Sequence, residues 1–158
     1  MIILKKIIPI SVLIFLIDQL VKLVITFNIE LNTSVSVIKD FFYISNVHNY
    51  GAAFSILYGN RIFLIFVSLI AILFIYFFLI KNKNLRRIEV VIYSLLLGGV
   101  CGNLFDRILY GYVIDFLDFH IFGYNFPVFN IADICIVISI GLIVFDTIRS
   151  GGCADSSR

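Results

Sequence analysis

Apolar residues follow one another along this chain in four long stretches, separated by shorter segments that are richer in polar residues. The stretches cover about residues 7–27, 62–80, 88–109 and 131–148. Each approaches the roughly 20 residues that a helix needs to cross the hydrocarbon core of a bilayer. The pattern therefore predicts four transmembrane helices.

The segment between the first two stretches has a different pattern. Apolar and polar residues alternate at 34–37 and again around 42–47, which predicts short β-strands. The "GAA" at 51–53 indicates a tight turn or a close backbone contact after them. We expect these strands to form a small sheet at the membrane surface.

Composition agrees with a membrane protein. Of the 158 residues, 61% are hydrophobic and 14% are charged, whereas soluble domains carry roughly 25% charged residues. Four spans and their connections use up most of the chain, so we predict one domain over residues 1–150. The small and polar segment 151–158, "GGCADSSR", is predicted to be a disordered tail.

The basic residues predict the orientation of the spans. Two lysines precede the first span, four basic residues lie in the connection 81–87, and Arg149 follows the fourth span. Because cytoplasmic loops carry the excess of Lys and Arg, both termini are predicted to be cytoplasmic. Segments 28–61 and 110–130 are then outside. The net charge of +2 thus reflects topology, and we predict no nucleic-acid partner.

Cysteine and histidine provide no pattern for metal chemistry. Cys101 and Cys135 lie inside predicted spans, where we expect small buried side chains. His48 and His120 are the two histidines, and neither belongs to an H-E-x-x-H motif or a Cys/His cluster. We predict no metal site and no cofactor.

Several polar residues interrupt the apolar stretches. Asp18 and Lys22 are separated by one helical turn, so we expect an ion pair that faces the interior of the helix bundle. Gly98 and Gly102 have the small-xxx-small spacing that lets membrane helices approach closely.

Asn103, Asp106 and Arg107 follow these glycines at i, i+3 and i+4. Helical spacing places them on one face, near the outer end of the third span. One interpretation is structural, with an Asp106–Arg107 ion pair and an asparagine that joins helices. The other is that the three residues belong to a functional site.

Asp133 also has two interpretations. Asn130 is a candidate N-cap of the fourth span with Asp133 at position N3, where a carboxylate favours the helix dipole. Asp115 has no such structural explanation, because it lies in the apolar and aromatic stretch "YVIDFLDF". Asp118, three residues further on, is expected to be the more solvated of the two.

Asp115 and Asp133 flank the outer segment 116–132, which can bring them together. Two carboxylates within about 3 Å cannot both ionise, so one proton is shared. Such a pair can activate a water molecule and protonate a departing amine, which is peptide hydrolysis without a metal. The alternatives are a small proton-coupled carrier and a purely structural membrane subunit, although the sequence lacks the inverted repeats typical of carriers.

Five motifs carry a family resemblance. They are "DQLVK" at 18–22, "HNYGAAFS" at 48–55, "GGVCGNLFDR" at 98–107, "GYVIDFLDF" at 111–119 and "FPVFNIADICI" at 126–136. In this order, and over nearly the whole chain, they resemble the lipoprotein signal peptidase family, the type II signal peptidases of bacteria. The C-terminal "GGCADSSR" resembles nothing in that family.

The resemblance implies an all-α membrane protein with four transmembrane helices and a small extracytoplasmic β-cradle. It implies an aspartic endopeptidase of the bacterial plasma (inner) membrane, with its active site at the extracytoplasmic face. The partners implied are diacylglyceryl-modified prolipoproteins, cut before the lipidated cysteine, and membrane lipids. We expect the protein to act as a monomer.

The resemblance also implies roles for individual residues. Asp115 and Asp133 would be catalytic, and the helix N-terminus would favour Asp133 as the ionised member and Asp115 as the protonated one. The supporting and substrate-binding residues implied are Asp18, Lys22, Asn49, Asn103, Asp106, Arg107 and Asn130.

Overall fold

Four long helices dominate the structure, a computed structural model that describes residues 2–52, 57–81 and 84–152. They are α1 (Ile2–Asn28), α2 (Arg61–Lys81), α3 (Arg87–Leu109) and α4 (Ile131–Gly152). All four are long and apolar enough to cross a membrane, which confirms the four predicted spans. The last residues of the "HNYGAAFS" motif, Lys83 in the basic connection and tail residues 153–158 lie outside the described residues.

The central helix of the bundle is α3. The other three helices all pack against it, and 44% of its spanning window is buried, compared with 17–22% for the others. The outward faces of the other helices expose large apolar side chains, such as Phe74 on α2 at 72% and Ile148 on α4 at 71%. Such faces suit contact with lipid.

Glycines on α3 set the spacing of the bundle. A Cβ atom on Gly99 would lie 2.5 Å from the carbonyl oxygen of Ala132, and one on Gly102 would lie 2.7 Å from Oδ2 of Asp18. A Cβ atom on Gly98 would lie 2.8 Å from a backbone oxygen of α1. The close approach predicted from Gly98 and Gly102 is confirmed, because any side chain there would push α1 or α4 away.

A four-stranded antiparallel sheet covers one end of the bundle. Its strands are β1 (Ser34–Ile38), β2 (Phe42–Asn49), β3 (Val113–Ile121) and β4 (Tyr124–Asn125), adjacent in that order. The alternating pattern correctly predicted β1 and β2, but it did not predict β3. The first four residues of β3 are all buried, so its sequence there is continuously apolar around Asp115 and lacks the alternation of a half-buried strand.

The sheet brings distant segments together at this end of the bundle. Asn49 at the end of β2 pairs with Val113, two residues before Asp115 on β3. On the other side of β3, Leu117 forms a bridge with Phe129, which precedes α4. The end of β2, the start of β3 and the start of α4 therefore meet above α3.

Candidate active site

Asp115 and Asp133 line the same cavity, which has a volume of about 480 Å³ and lies between the sheet and the helix bundle. Its polar wall is formed by Asn49, Asn103, Arg107, Asp115 and Asp133. Its apolar wall includes Phe129, Val137 and Ile138. Because Val137 and Ile138 are 68% and 48% exposed, this wall continues onto the outer face of α4. The cavity can therefore accept a ligand that has both a polar and a lipid-like part.

Asn130 contacts both aspartates. Its side-chain Nδ2 donates to Oδ1 of Asp115 at 2.6 Å, and its Oδ1 accepts from the backbone N–H of Asp133 at 2.9 Å. Asn130 is fully buried, and so is Ala132 beside it in the first turn of α4. The side chain thus holds the strand that carries Asp115 at a fixed position relative to the helix that carries Asp133.

Asp115 lies on β3 in a site that disfavours its charged form. It is 2% exposed, and it accepts hydrogen bonds from Nδ2 of Asn49 at 2.9 Å and from Asn130. Burial, followed by the negative charge of Asp133, raises the pKa of Asp115 to about 7, although the two amide donors and Lys22 act in the opposite direction. This carboxyl group can therefore hold a proton at neutral pH.

Asp133 lies in the first turn of α4, where two hydrogen-bond donors contact its carboxylate. Its Oδ1 accepts from Nδ2 of Asn103 at 2.7 Å, and its Oδ2 accepts from the backbone N–H of Asn130 at 3.3 Å. Together with the bond from its own N–H to Asn130, this is a reciprocal capping box. The predicted cap is confirmed. The same carboxylate also lines the cavity, so the two interpretations of Asp133 are compatible.

A buried ion cluster lies beneath the two aspartates. The Nζ atom of Lys22 is 2.8 Å from Oδ2 of Asp18 and 2.8 Å from Oδ2 of Asp106, and all three side chains are at most 1% exposed. The predicted Asp18–Lys22 pair is confirmed. Lys22 also donates to Oδ1 of Asn103 at 3.2 Å, while Oδ1 of Asp18 accepts from the backbone N–H of Ala132 at 2.9 Å. The cluster therefore holds both Asn103 and the first turn of α4.

The structural interpretation of Asp106 and Arg107 as an ion pair with each other is wrong. Asp106 binds Lys22 instead, while Arg107 donates through Nη2 to the carbonyl of Gly51 at 3.0 Å and through Nη1 to the carbonyl of Asn103 at 3.4 Å. Neighbouring residues on a helix point in different directions. Asp106 accordingly faces α1, and Arg107 faces the segment that follows β2.

Gln19 carried no predicted role, yet it belongs to the same cluster. Its Nε2 donates to Oδ1 of Asp106 at 2.9 Å and lies 3.3 Å from Oδ2 of Asp18. It thereby supplies a donor to Oδ1 of Asp106, whereas Lys22 binds Oδ2 of the same carboxylate. An amide next to an aspartate in an apolar span is the signal that could have identified it.

The remaining candidate groups lie away from the cavity. Asp118 is only partly solvated, because its carboxylate accepts from Oγ of Ser45 at 2.8 Å and lies 3.1 Å from Nε2 of His120. His48 stacks on Tyr112 with ring centroids 3.7 Å apart, and burial lowers the pKa of His48. Neither histidine lines the cavity that contains Asp115 and Asp133.

A second pair of acidic side chains lies at the opposite end of α3. Glu89 and Asp146 both bind Arg86 there, and the bonds to these two acids raise the pKa of the exposed Arg86 guanidinium. Glu89 and Asp146 thus share one cation, the guanidinium of Arg86. Asp115 and Asp133, in contrast, are held mainly by neutral amides.

Comparisons with known proteins find a matching family model and similar sequences. The family model described as "Signal peptidase (SPase) II" matches residues 10–149. A lipoprotein signal peptidase of Clostridium tetani (strain Massachusetts / E88) is 40% identical over 147 residues, which cover 92% of this chain and 94% of the relative. The corresponding protein of Pasteurella multocida (strain Pm70) is 36% identical over 144 residues, 89% of this chain and 87% of the relative.

Solved structures show the same fold. A bacterial membrane enzyme determined by the in meso method matches with a TM-score of 0.87 and 34% identity, covering 98% of this chain and 92% of the other. A second such enzyme matches with a TM-score of 0.81 and 37% identity, covering 90% and 92%. These matches do not support a proton-coupled carrier. The chain belongs to the signal peptidase II family of membrane-bound proteases.

Proposed function

We propose that this protein is an aspartic endopeptidase that removes signal peptides from diacylglyceryl-modified prolipoproteins, with Asp115 and Asp133 as its catalytic pair. The observation that carries the proposal is that both carboxylates line one cavity and that Asn130 binds both residues. Membership of the signal peptidase II family supports the substrate class, since curated relatives are lipoprotein signal peptidases.

In the proposed mechanism Asp133 is the general base. Its capping box and the dipole of α4 favour the ionised carboxylate. It takes a proton from a water molecule, whose oxygen then forms a bond to the carbonyl carbon of the scissile peptide. Asn103 keeps the carboxylate in place through its bond to Oδ1.

Asp115 is the general acid. Because its pKa lies at about 7, it can hold a proton at neutral pH and still release it. It gives that proton to the nitrogen of the leaving cysteine as the carbon–nitrogen bond breaks, which leaves a carboxyl group on the signal peptide. Transfer of the proton on Asp133 to Asp115 then restores the starting state.

The shape of the cavity supports a lipid-modified substrate. Its polar wall can contact the peptide, while its apolar wall reaches the exposed face of α4 at Val137. The diacylglyceryl chains can thus remain in the bilayer while the scissile bond reaches the aspartates. Binding of the chains would orient that bond, which a free peptide would have to achieve by diffusion.

The location and the supporting residues are part of the proposal. The basic connection between α2 and α3 supports a cytoplasmic position for that end and for both termini, which puts the sheet end at the extracytoplasmic face of the plasma membrane. One chain supplies both aspartates, as expected if it acts as a monomer. We assign positioning and substrate-binding roles to Asp18, Lys22, Asn49, Asn103, Asp106, Arg107 and Asn130.

The decisive experiment measures cleavage of a lipidated precursor peptide by purified full-length protein. Asp115→Asn and Asp133→Asn keep size and polarity but can neither accept the proton of water nor act as acids. Each should lose nearly all activity, and the double variant should be hardly worse, because residues that act as a unit are not additive.

Asp118→Asn is the matched control, since it lies on the same strand but away from the cavity, and it should keep most activity. The non-lipidated precursor should be cut poorly by the unmodified protein. Normal cleavage by correctly inserted Asp133→Asn would overturn the catalytic assignment and leave this residue a helix cap. Equal rates on both precursors would overturn the role of the lipid.

A further inference from the structure

Backbone carbonyls at the end of a helix have no partner within that helix. At the end of α3, the carbonyl of Asp106 accepts from the first two residues after the helix, at 2.8 and 3.3 Å. The carbonyls of Arg107 and Ile108 accept from the side chain of Arg61, whose Nε and Nη2 donate at 2.7 and 2.8 Å. Arg61 is the first residue of α2, so one planar guanidinium joins the start of α2 to the end of α3.

The same end of α3 holds the segment that connects the cavity to Arg61. The backbone N–H of Gly59 donates to the carbonyl of Tyr50 at 3.2 Å, so the two ends of segment 50–59 are adjacent. Close to this point, Arg107 donates to the carbonyl of Gly51 at 3.0 Å. Arg107 therefore attaches the start of this segment to the last turn of α3, and Arg61, two residues beyond Gly59, attaches the chain that follows the segment to the same turn.

Asn49 immediately precedes this segment. Its Oδ1 accepts from the backbone N–H of Gly51 at 2.9 Å, and its Nδ2 donates to Oδ2 of Asp115 at 2.9 Å. The position of Gly51 thus determines where the amide of Asn49 points. That amide favours the ionised form of Asp115 and opposes the effect of burial on its pKa.

We infer that Arg61 is a positioning residue for the peptidase reaction, because it holds the end of α3 against the ends of segment 50–59 and so keeps Asn49 in contact with Asp115. Arg61 acts through Asn49 and does not line the cavity around the aspartates. The inference rests on the proposed function, in which Asp115 supplies the proton.

The test compares Arg61→Ala and Arg61→Lys with Arg86→Ala in the full-length protein. Arg86 is the matched control, since it is an exposed arginine at the other end of α3. The readouts are kcat and KM for a lipidated precursor peptide across the neutral pH range.

In Arg61→Ala we expect kcat to fall about tenfold or more, because small displacements of catalytic groups are costly, while KM changes little. The high-pH limb of the profile should move to higher pH, since Asp115 loses a donor that lowers its pKa. Arg61→Lys should be intermediate, because an ammonium group does not match both carbonyls. Arg86→Ala should retain the normal profile.

Other charged groups act on Asp115 as well, namely Asp133 on α4, Lys22 on α1 and Arg107 on α3. All three groups are kept in every variant. A shift of the high-pH limb of the rate profile therefore reports a change in the contact between Asn49 and Asp115. A fall in kcat with an unmoved limb, or the same change in Arg86→Ala, overturns the inference. If Arg61→Ala does not fold, Arg61→Lys decides by the same criteria.

A second readout does not depend on catalysis. The amide hydrogen of Gly51, which is bound to Asn49, should exchange faster with solvent in Arg61→Ala than in Arg86→Ala. Equal exchange rates would refute the role of Arg61 even if activity changed. Retained activity in Asp115→Asn would instead refute the proposed function, and the exchange rates would still decide whether Arg61 holds Asn49.

Discussion

Asn130 donates a hydrogen bond from its side-chain nitrogen to Oδ1 of Asp115 at 2.6 Å, across the 15 sequence positions that separate them. With its side-chain oxygen, Asn130 caps α4 by accepting a hydrogen bond from the backbone N–H of Asp133. One residue therefore combines a local role, starting a helix, with a long-range role, holding a strand carboxylate beside that helix.

Substitution of Asn130 can separate these two roles. Asn130→Asp keeps an oxygen that can cap α4, but it replaces the donor to Asp115 by a third carboxylate. We expect cleavage to fall about 10- to 100-fold, because a buried acceptor left without its donor costs about 1–3 kcal/mol, with little loss of helix content. Asn28→Asp, at the exposed end of α1, is the control. Full activity in Asn130→Asp would show that its amide is dispensable.

The rate of cleavage should depend on pH through Asp115. Since the proposed mechanism needs this group protonated and its pKa lies at about 7, we expect the rate to fall as the pH rises through that value. A second limb is expected at lower pH, where Asp133 takes up a proton. In Asn49→Ala the upper limb should move to higher pH, because a donor to the ionised form is lost. If the upper limb does not move in Asn49→Ala, it does not report the titration of Asp115.

Asp115 should also reduce stability at alkaline pH. Its pKa in the folded protein, about 7, exceeds the ordinary 3.8, so the folded state binds this proton more tightly than the unfolded state. The stabilising contribution of the proton is complete below about pH 3.8 and is lost as the pH rises through about 7. We would measure thermal unfolding in detergent. The stability of Asp115→Asn relative to the unmodified protein should increase as the pH is raised from acidic values to above 7.

The matched variant for this measurement is Asp118→Asn, which lies on the same strand as Asp115 and whose carboxylate accepts a hydrogen bond from Ser45, outside the cavity. Its difference from the unmodified protein should vary little over the same interval. A constant difference between Asp115→Asn and the unmodified protein would mean that Asp115 is not held in its protonated form.

The buried ion cluster should affect stability more than chemistry. Asp18→Ala removes a partner of Lys22 and the acceptor for the backbone N–H of Ala132. Breaking a buried pair costs about 3–5 kcal/mol, so the unfolding midpoint should drop clearly. Glu30→Ala, an exposed acid just beyond α1, should have little effect. Complete loss of cleavage at normal stability would instead give Asp18 a role in the reaction.

The orientation of the spans is testable with reporter fusions. A reporter placed between Lys81 and Arg87 should be cytoplasmic, because the basic residues lie there. A reporter at Gly123, in the turn between β3 and β4, should be extracytoplasmic, on the same side as the aspartates. The opposite result would place the aspartates on the wrong face for a signal peptidase.

Elements whose cause is local could be predicted from the amino-acid sequence. Apolar length specifies a spanning helix, so the four helices were predictable from four stretches. Alternation specified β1 and β2, and a spacing of three residues specified the cap between Asn130 and Asp133. The linked motifs also sufficed to identify the family, and they singled out Asp115 and Asp133 before any contact was known.

The contacts between polar groups on different helices could not be predicted, because they depend on how the helices pack. Asp106 could bind Arg107 beside it or Lys22 on another helix, and only the packing of α1 against Gly102 of α3 selects Lys22. The sequence pattern did not predict strand β3, because this strand is buried from its first residue and so lacks the alternation of apolar and polar residues. The role of Arg61 depends on carbonyls 46 and 47 residues away.

The physical reason is the cost of burial. Low dielectric surroundings require every buried charge to have a partner, and a sequence can reveal that requirement from a single aspartate in an apolar stretch. The identity of the partner depends on the rotation and depth of each helix, and these result from packing over the whole bundle. The contact between Asp18 and Ala132, 114 positions apart, therefore exists only in the folded protein.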